Sequence, residues 1–350
     1  MNKPFTTVLI VPTGIGAAIG GYAGDALPVA RVMAQVCDRL ITHPNVLNGA
    51  QLYWSLNNTY YVEGYGLDKF AAGQWGLQPV RQNKVGLLLD AAIEPELRLR
   101  HLQAADAVRA TLGLELTDYV ITDAPLDIEL RTAESGASWG TIGNSGSLLR
   151  AAEKLITQAG ANAIAVVARF PDDINEVQLD NYRQGTGVDP LAGAEAVISH
   201  LIVRQFQIPV AHAPALSPIP VDPNVSPRAA AEELGYTFLP CVLVGLSRAP
   251  QFVTNRNNNS DLIWADQIDA VVIPATACGG SAVMSLSNSS TTIITVAENS
   301  TKIEVPPEPL GMKTIGVHSY LEALGLLAAC RAGISMNALR PNIQSLRRLS

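Results

Sequence analysis

Thr6-Thr7-Val8-Leu9-Ile10-Val11-Pro12-Thr13-Gly14-Ile15-Gly16-Ala17-Ala18-Ile19-Gly20-Gly21-Tyr22-Ala23-Gly24-Asp25 decides how the rest of the chain is read. Its first half, Thr6–Pro12, is a β-branched, apolar run without polar alternation, the pattern of a strand buried on both faces. The glycine-rich second half leads into the Ala-rich stretch Leu27–Leu40, which predicts a helix. A doubly buried strand feeding a helix is the first half of a βαβ unit, and such units build parallel sheets.

The same unit recurs along the chain. Strands are predicted at Val85–Asp90, Asp118–Thr122, Ala163–Phe170, Ile208–His212, Thr237–Leu243, Ala270–Pro274, Thr292–Ala297 and Thr314–Val317. Helices are predicted at Glu94–Leu112, Ser147–Ala159, Gly193–Gln205, Pro227–Leu234 and Ser319–Ala332. The fold class is therefore α/β, a mainly parallel sheet with helices on both faces, in one domain or two lobes. Three stretches depart from the pattern. Asn48–Gln82 is rich in aromatics and glycine and reads as an insertion or a hairpin over a site. Ile128–Ser147, rich in Gly and Ser, places a lobe boundary that divides 1–135 from 136–350. Ala249–Ser260 ends in a polar run that reads as a surface loop or flap.

Composition narrows the function. The 350 residues are 48% hydrophobic and only 16% charged, so most strands must be covered. No run approaches the roughly 18 uninterrupted apolar residues of a spanning helix. With 24 basic against 31 acidic residues the net charge is −7, and the Arg340–Arg348 tail is the only basic concentration. Nucleic-acid and membrane-surface binding need a positive field and are not expected. Cys37, Cys241, Cys278 and Cys330 lie far apart with no CxxC, which suggests a reducing compartment. The N-terminus has no signal-peptide pattern, so a cytoplasmic location is expected. The apolar surface left by so low a charge content predicts a homodimer.

In open α/β sheets ligands bind beyond the strand carboxyl ends. Reading there gives Thr13, Gly14, Arg169, His212, Arg248, Thr276, Cys278, Glu298 and His318, among other polar residues. The glycines Gly14, Gly16, Gly20 and Gly21, with Asp25, form a turn whose free amides could cradle an anion. It is neither a dinucleotide fingerprint nor a P-loop, so no cofactor is expected. A tight strand-to-helix turn explains the same residues. Asn144 and Ser145, in a second Gly/Ser-rich turn, could hold a phosphate or simply cap a helix. Arg169 could clamp a carboxylate or phosphate with Asp172 and Asp173 nearby, or pair with them. Cys278, between Thr276 and Gly279 at a helix start, could be a thiolate nucleophile, its pKa lowered from about 8.5 to roughly 3.5–7.5. A buried free cysteine is the alternative. His200 and His212 lack metal-site spacing, and no metal is expected. Cys278 with His212 or His318 would then act on a small-molecule anion. A non-catalytic binding or regulatory protein and a scaffold are the other readings.

Gly14–Asp25, Gly140–Ser147, Arg169–Asp173, Gly185–Pro190, His212–Leu216, Gly235–Pro240, Thr276–Gly280 and Ser319–Ala323 together resemble the family called domain of unknown function 3326. The resemblance spans nearly the whole chain. It implies a cytoplasmic bacterial protein and brings no activity, cofactor or catalytic residue. Thr276-Ala277-Cys278-Gly279 also looks like one half of the site in cofactor-independent aspartate/glutamate racemases. Such a site needs two facing cysteines, and the matching turn after the first strand carries Thr13-Gly14 instead.

Overall fold

The computed structural model describes residues 3–48, 55–172, 176–217, 220–235, 238–256 and 261–348. The opening run forms strand β1 (Thr6–Leu9), buried at every position. It sits in the middle of a six-stranded sheet with β2 (Arg39–Thr42), β3 (Thr59–Tyr61), β12 (Ala270–Pro274), β13 (Thr292–Val296) and β14 (Thr314–Val317). Their order is β14-β13-β12-β1-β2-β3, and every pairing is parallel, with Val8 opposite Ile41 on one side and Val271 on the other.

A second parallel sheet has the order β10-β9-β5-β6, from β5 (Val85–Leu89), β6 (Leu116–Ile121), β9 (Ala163–Arg169) and β10 (Val210–Ala215). Two antiparallel pairs complete the strands: β4 (Gly76–Gln78) with β11 (Gln251–Val253), and the hairpin β7 (Ile128–Thr132) with β8 (Ser138–Ile142). The boundary expected between 135 and 136 falls at the tip of this hairpin. The four-stranded sheet takes strands from both sides of it.

Alternate residues of each central strand serve different cores, as the two-residue period of a strand requires. Leu9 packs into a core shared with Leu87 and Leu89, between the two sheets. Val8 and Ile10 face helices Gly64–Ala71 and Ser281–Ser287 through Leu67, Phe70 and Val283. Leu88 faces helices Ser145–Ala159 and Ala192–Phe206 through Leu148, Leu155 and Ile198. The α/β class with helices on both faces is thus the observed one. Among the described residues no helix is long and apolar enough to cross a membrane.

Two predicted elements change. Leu27–Leu40 is helical only to Val36; Cys37 is extended, and the chain turns into β2. The stretch predicted as strand Thr237–Leu243 begins at Thr237, outside the described residues, and Leu239–Ser247 is a helix. Pro240 falls in its first turn, where a fixed φ favours a helix, and eight of its nine residues are buried. An apolar run covered all round reads the same in a strand or a helix. Of the predicted loop Ala249–Ser260, residues 257–260 lie outside the described residues, and Gln251–Val253 is β11. Within Asn48–Gln82, residues 49–54 lie outside them too, and the rest supplies β3, helix Gly64–Ala71 and β4.

Candidate functional site

The chain leaves β1 toward β2 and β3 on one side, and adds β12, β13 and β14 on the other. Such a reversal opens a crevice at the carboxyl ends of the two central strands. Here a cavity of about 460 Å³ begins at Pro12 and Thr13 after β1 and at Ala277, Gly279 and Gly280 after β12. His43, after β2, and Glu63, after β3, form its near wall. Its far wall belongs to the four-stranded half: Asp189, then Glu195, Ser199 and His200 on helix Ala192–Phe206, His212 on β10, and Glu232 on helix Pro227–Glu233.

His212 is hydrogen-bonded at one ring nitrogen and faces a carboxylate at the other. Ser199 Oγ lies 2.6 Å from Nδ1, and the Glu195 carboxylate lies 3.6 Å from Nε2. Glu195 and Ser199 are four residues apart on one helix, so a single helix face grips the ring. His200 Nε2 lies 3.0 Å from Glu63 Oε1. Burial opposes charge on His200, but the Glu63 hydrogen bond and charge, with Asp68, outweigh it and raise its pKa. Glu63 also caps helix Gly64–Ala71, accepting from the Gly66 amide at 3.1 Å. His43 differs from both. Burial pulls its pKa down to about 4, and its Nε2 accepts the Val11 N–H at 3.0 Å, so it is a neutral ring at physiological pH.

The carboxylates behave unusually. Asp189, 5% exposed, is pushed up to about 7, first by burial and then by the Glu195 charge. Burial, then the Asp189 charge, lifts Glu232 well above the carboxylate range, and the Tyr182 hydroxyl donates to it. Among the described residues, the lining carries five carboxylates (Glu63, Asp68, Asp189, Glu195, Glu232) and three histidines, but no lysine or arginine. A further anion would meet repulsion in this cavity. The arrangement can exchange protons and can hold a polar or positively charged molecule. Among the described residues no group of three or more His, Cys, Asp or Glu is placed to hold a metal.

Of the residues singled out in the sequence, Thr13, His200, His212 and Gly279 line the cavity. The others are elsewhere. The glycine turn is closed by the chain itself: the Ala18 amide donates to Ser300 O, Ile19 to Asn299 Oδ1 and Gly24 to Asn45 O. Gly14 accepts from the Ser138 amide through its carbonyl, and Gly16 packs against Lys302. At Gly20, φ is +89° and a Cβ would stand 2.4 Å from Val11 Cγ1. Gly21 is as tight, with a Cβ position 2.4 Å from Ala17 O. The anion at this turn is Asp25. Burial pushes it up to about 6, against the Arg228 guanidinium 3.4 Å away and the Gly20 and Tyr22 amides, which favour its charged form. The glycines thus serve close approach of the chain to itself, which corrects the expected anion cradle.

Cys278 is fully buried in the core with Val271 and Ile273, and its thiol is pushed up to about 11 by burial and then by Glu308. That environment disfavours a thiolate, and neither Cys278 nor Cys241 lines the cavity. His318 is exposed beside the edge strand β14, away from the cavity. Arg169 is bound to Glu94, Asp172 and Ser217 on the other sheet, and Asp173 lies outside the described residues. Asn144 donates to Pro125 O and Asp127, at the start of the helix that begins with Ser145. Thr276 bonds Thr301, Glu298 accepts from the Tyr320 amide, and Arg248 is exposed beyond helix Leu239–Ser247. The sequence reading missed His43, Glu63, Glu195, Ser199 and Glu232. The available signal was the spacing of Glu195 and Ser199 on a helix already predicted.

Fold and cleft together define a parallel α/β protein with a carboxylate- and histidine-lined crevice at a strand-order reversal. The chain belongs to the family described as "Protein of unknown function (DUF3326)", whose model matches residues 6–340. The resemblance noted from the sequence is therefore family membership. It is also 59% identical, over 346 residues, to the protein of Synechococcus sp. named "Uncharacterized lipoprotein syc1174_c"; the match covers 99% of this chain and 96% of that protein. That name overturns the cytoplasmic location expected from the sequence. No solved structure matches the chain.

Proposed function

We propose that this protein is a small-molecule enzyme that transfers protons in the cleft, with His212 as the acid–base group. The observation that carries the reading is the grip on His212 by Ser199 at 2.6 Å and Glu195 at 3.6 Å, on the wall of a cavity of about 460 Å³. A ring held in one orientation by a hydroxyl and a carboxylate, facing ligand space, is what proton transfer to a bound molecule needs. His200, paired with Glu63, supplies a second group, its basicity raised by that carboxylate. The carboxylate lining favours a polar or cationic ligand over the carboxylate or phosphate compound expected from the sequence. The lipoprotein name of the Synechococcus relative supports a membrane-anchored location for this chain too, which membrane fractionation of its own cells would test.

The test of the activity is a metabolite-library screen by thermal shift, followed by product detection by mass spectrometry on wild type and His212→Gln. Amines and polyols should raise the melting temperature and organic anions should not. His212→Gln should keep binding while turnover falls about 10²–10⁴-fold. Full turnover in His212→Gln would refute the role. Binding without chemistry in wild type would make the protein a non-catalytic binder.

A further inference from the structure

A second cavity, of about 540 Å³, opens on the far side of the acidic wall. Asp189, Glu195, Pro214, Glu232 and Phe238 line both cavities, so the two share one partition. Beyond it the second cavity is mainly apolar, walled by Leu97 and Ala104 of helix Pro95–Leu112, by Leu179, and by Leu216, Leu234 and Leu239. A pocket with apolar walls and a few convergent polar groups is the usual form of a small-molecule site.

The partition has a feature that points to its ligand. Neither Asp189 nor Glu232 has a lysine or arginine partner among the described residues. Asp189 Oδ1 accepts from the Leu191 amide at 2.8 Å, and Glu232 accepts from Tyr182. Glu195 lies 3.6 Å from the His212 ring and has no lysine or arginine partner among the described residues. A buried carboxylate such as Asp189, without counter-charge, is costly, and a bound cation removes that cost. A primary ammonium is the compact cation that presents three donors, one for each carboxylate.

We infer that the two cavities form one elongated site for an amphiphilic amine, its ammonium between Asp189, Glu195 and Glu232 and its apolar arm in the Leu97–Leu216 cavity. The inference deepens the proposed function and rests on the cleft being its ligand site. It places the carbon next to the nitrogen toward His212 and leaves the arm to set specificity.

The experiment is calorimetric titration with ethyl-, butyl-, hexyl- and octylammonium, with octanol and octanoate as controls. Affinity should rise about fourfold for each added CH₂. Octanoate should not bind, and octanol should bind at least tenfold more weakly than octylammonium. Ala104→Phe, which fills the second cavity, should flatten the length series while leaving ethylammonium unchanged; Leu97→Ser is a second variant with the same expectation. Asp189→Asn should weaken every amine. Binding of short amines with no length dependence in wild type would overturn the elongated site and leave the cleft reading intact. Equal gains for octanol and octylammonium would overturn cation recognition at the partition. Absence of binding by any amine would remove both the inference and the cationic ligand of the proposed function.

Discussion

Asp189→Asn should make the free protein more stable, and increasingly so as pH rises. A buried carboxyl lifted from 3.8 to about 7 costs about 4 kcal/mol to ionise in the folded chain, at 1.36 kcal/mol per pH unit. Because the folded pKa is the higher one, that stability is fully present below pH 3.8 and is lost as pH rises through about 7. Asparagine keeps the shape and one oxygen for the Leu191 amide, 2.8 Å from Asp189 Oδ1. It loses the carboxylate's bond to the Ala192 amide, worth about 1 kcal/mol. The variant should therefore be about 1 kcal/mol less stable than wild type near pH 4 and about 3 kcal/mol more stable near pH 8.5. Urea unfolding followed by circular dichroism at four pH values measures the difference directly. A difference that does not change with pH, or a variant less stable than wild type at pH 8.5, would refute the account of Asp189 as a charge held at a cost.

Two further outcomes follow from the corrected site residues. Cys278 should resist iodoacetamide at neutral pH until the protein unfolds, and Cys278→Ser should lower the melting temperature by burying a hydroxyl among Val271 and Ile273; rapid labelling of the native protein would show a thiolate after all. Gly20→Ala should cost about 2–4 kcal/mol, from a positive φ and a Cβ placed 2.4 Å from Val11, read by urea unfolding; unchanged stability would mean that this turn relaxes freely.

Strands that end against polar or turn residues were legible at both ends. Ala270–Pro274 begins after Asp269 and Thr314–Val317 after Lys313, and each is found as predicted. Arg39–Thr42 was hidden because Leu40 and Ile41 prolong the apolar spacing of the preceding helix, so nothing local marks the turn at Cys37. The same error concealed His43, which follows that strand. The pairs that make the site are equally invisible locally: Glu63 meets His200 because helices Gly64–Ala71 and Ala192–Phe206 pack together, and Glu195 meets His212 because the second of these helices packs on β10. No motif records a contact across 137 residues of sequence.

The strand-end rule itself needs a second criterion in a protein with two parallel sheets. The four-stranded sheet also reverses its order, with β6 on one side of β5 and β9 on the other. Its carboxyl-end groups were as prominent in the sequence as those of the six-stranded sheet. Yet the Asp90 carboxylate accepts the amides of Ala92, Leu126 and Arg169, and Arg169 is held by Glu94 and Asp172. Asp123 is bound by Arg150 and Ser147. Those groups are bound within the chain, by backbone amides or by one another. At the β1–β12 reversal the opposite holds: Asp189 is buried and Glu232 half-buried with no lysine or arginine partner among the described residues, and His212 turns its ring toward open volume. Position at a strand end nominates a residue; an unmet charge or an oriented acid–base group facing a cavity separates a site from a brace. Arg169 and Cys278 satisfy the first condition alone, and His212 satisfies both.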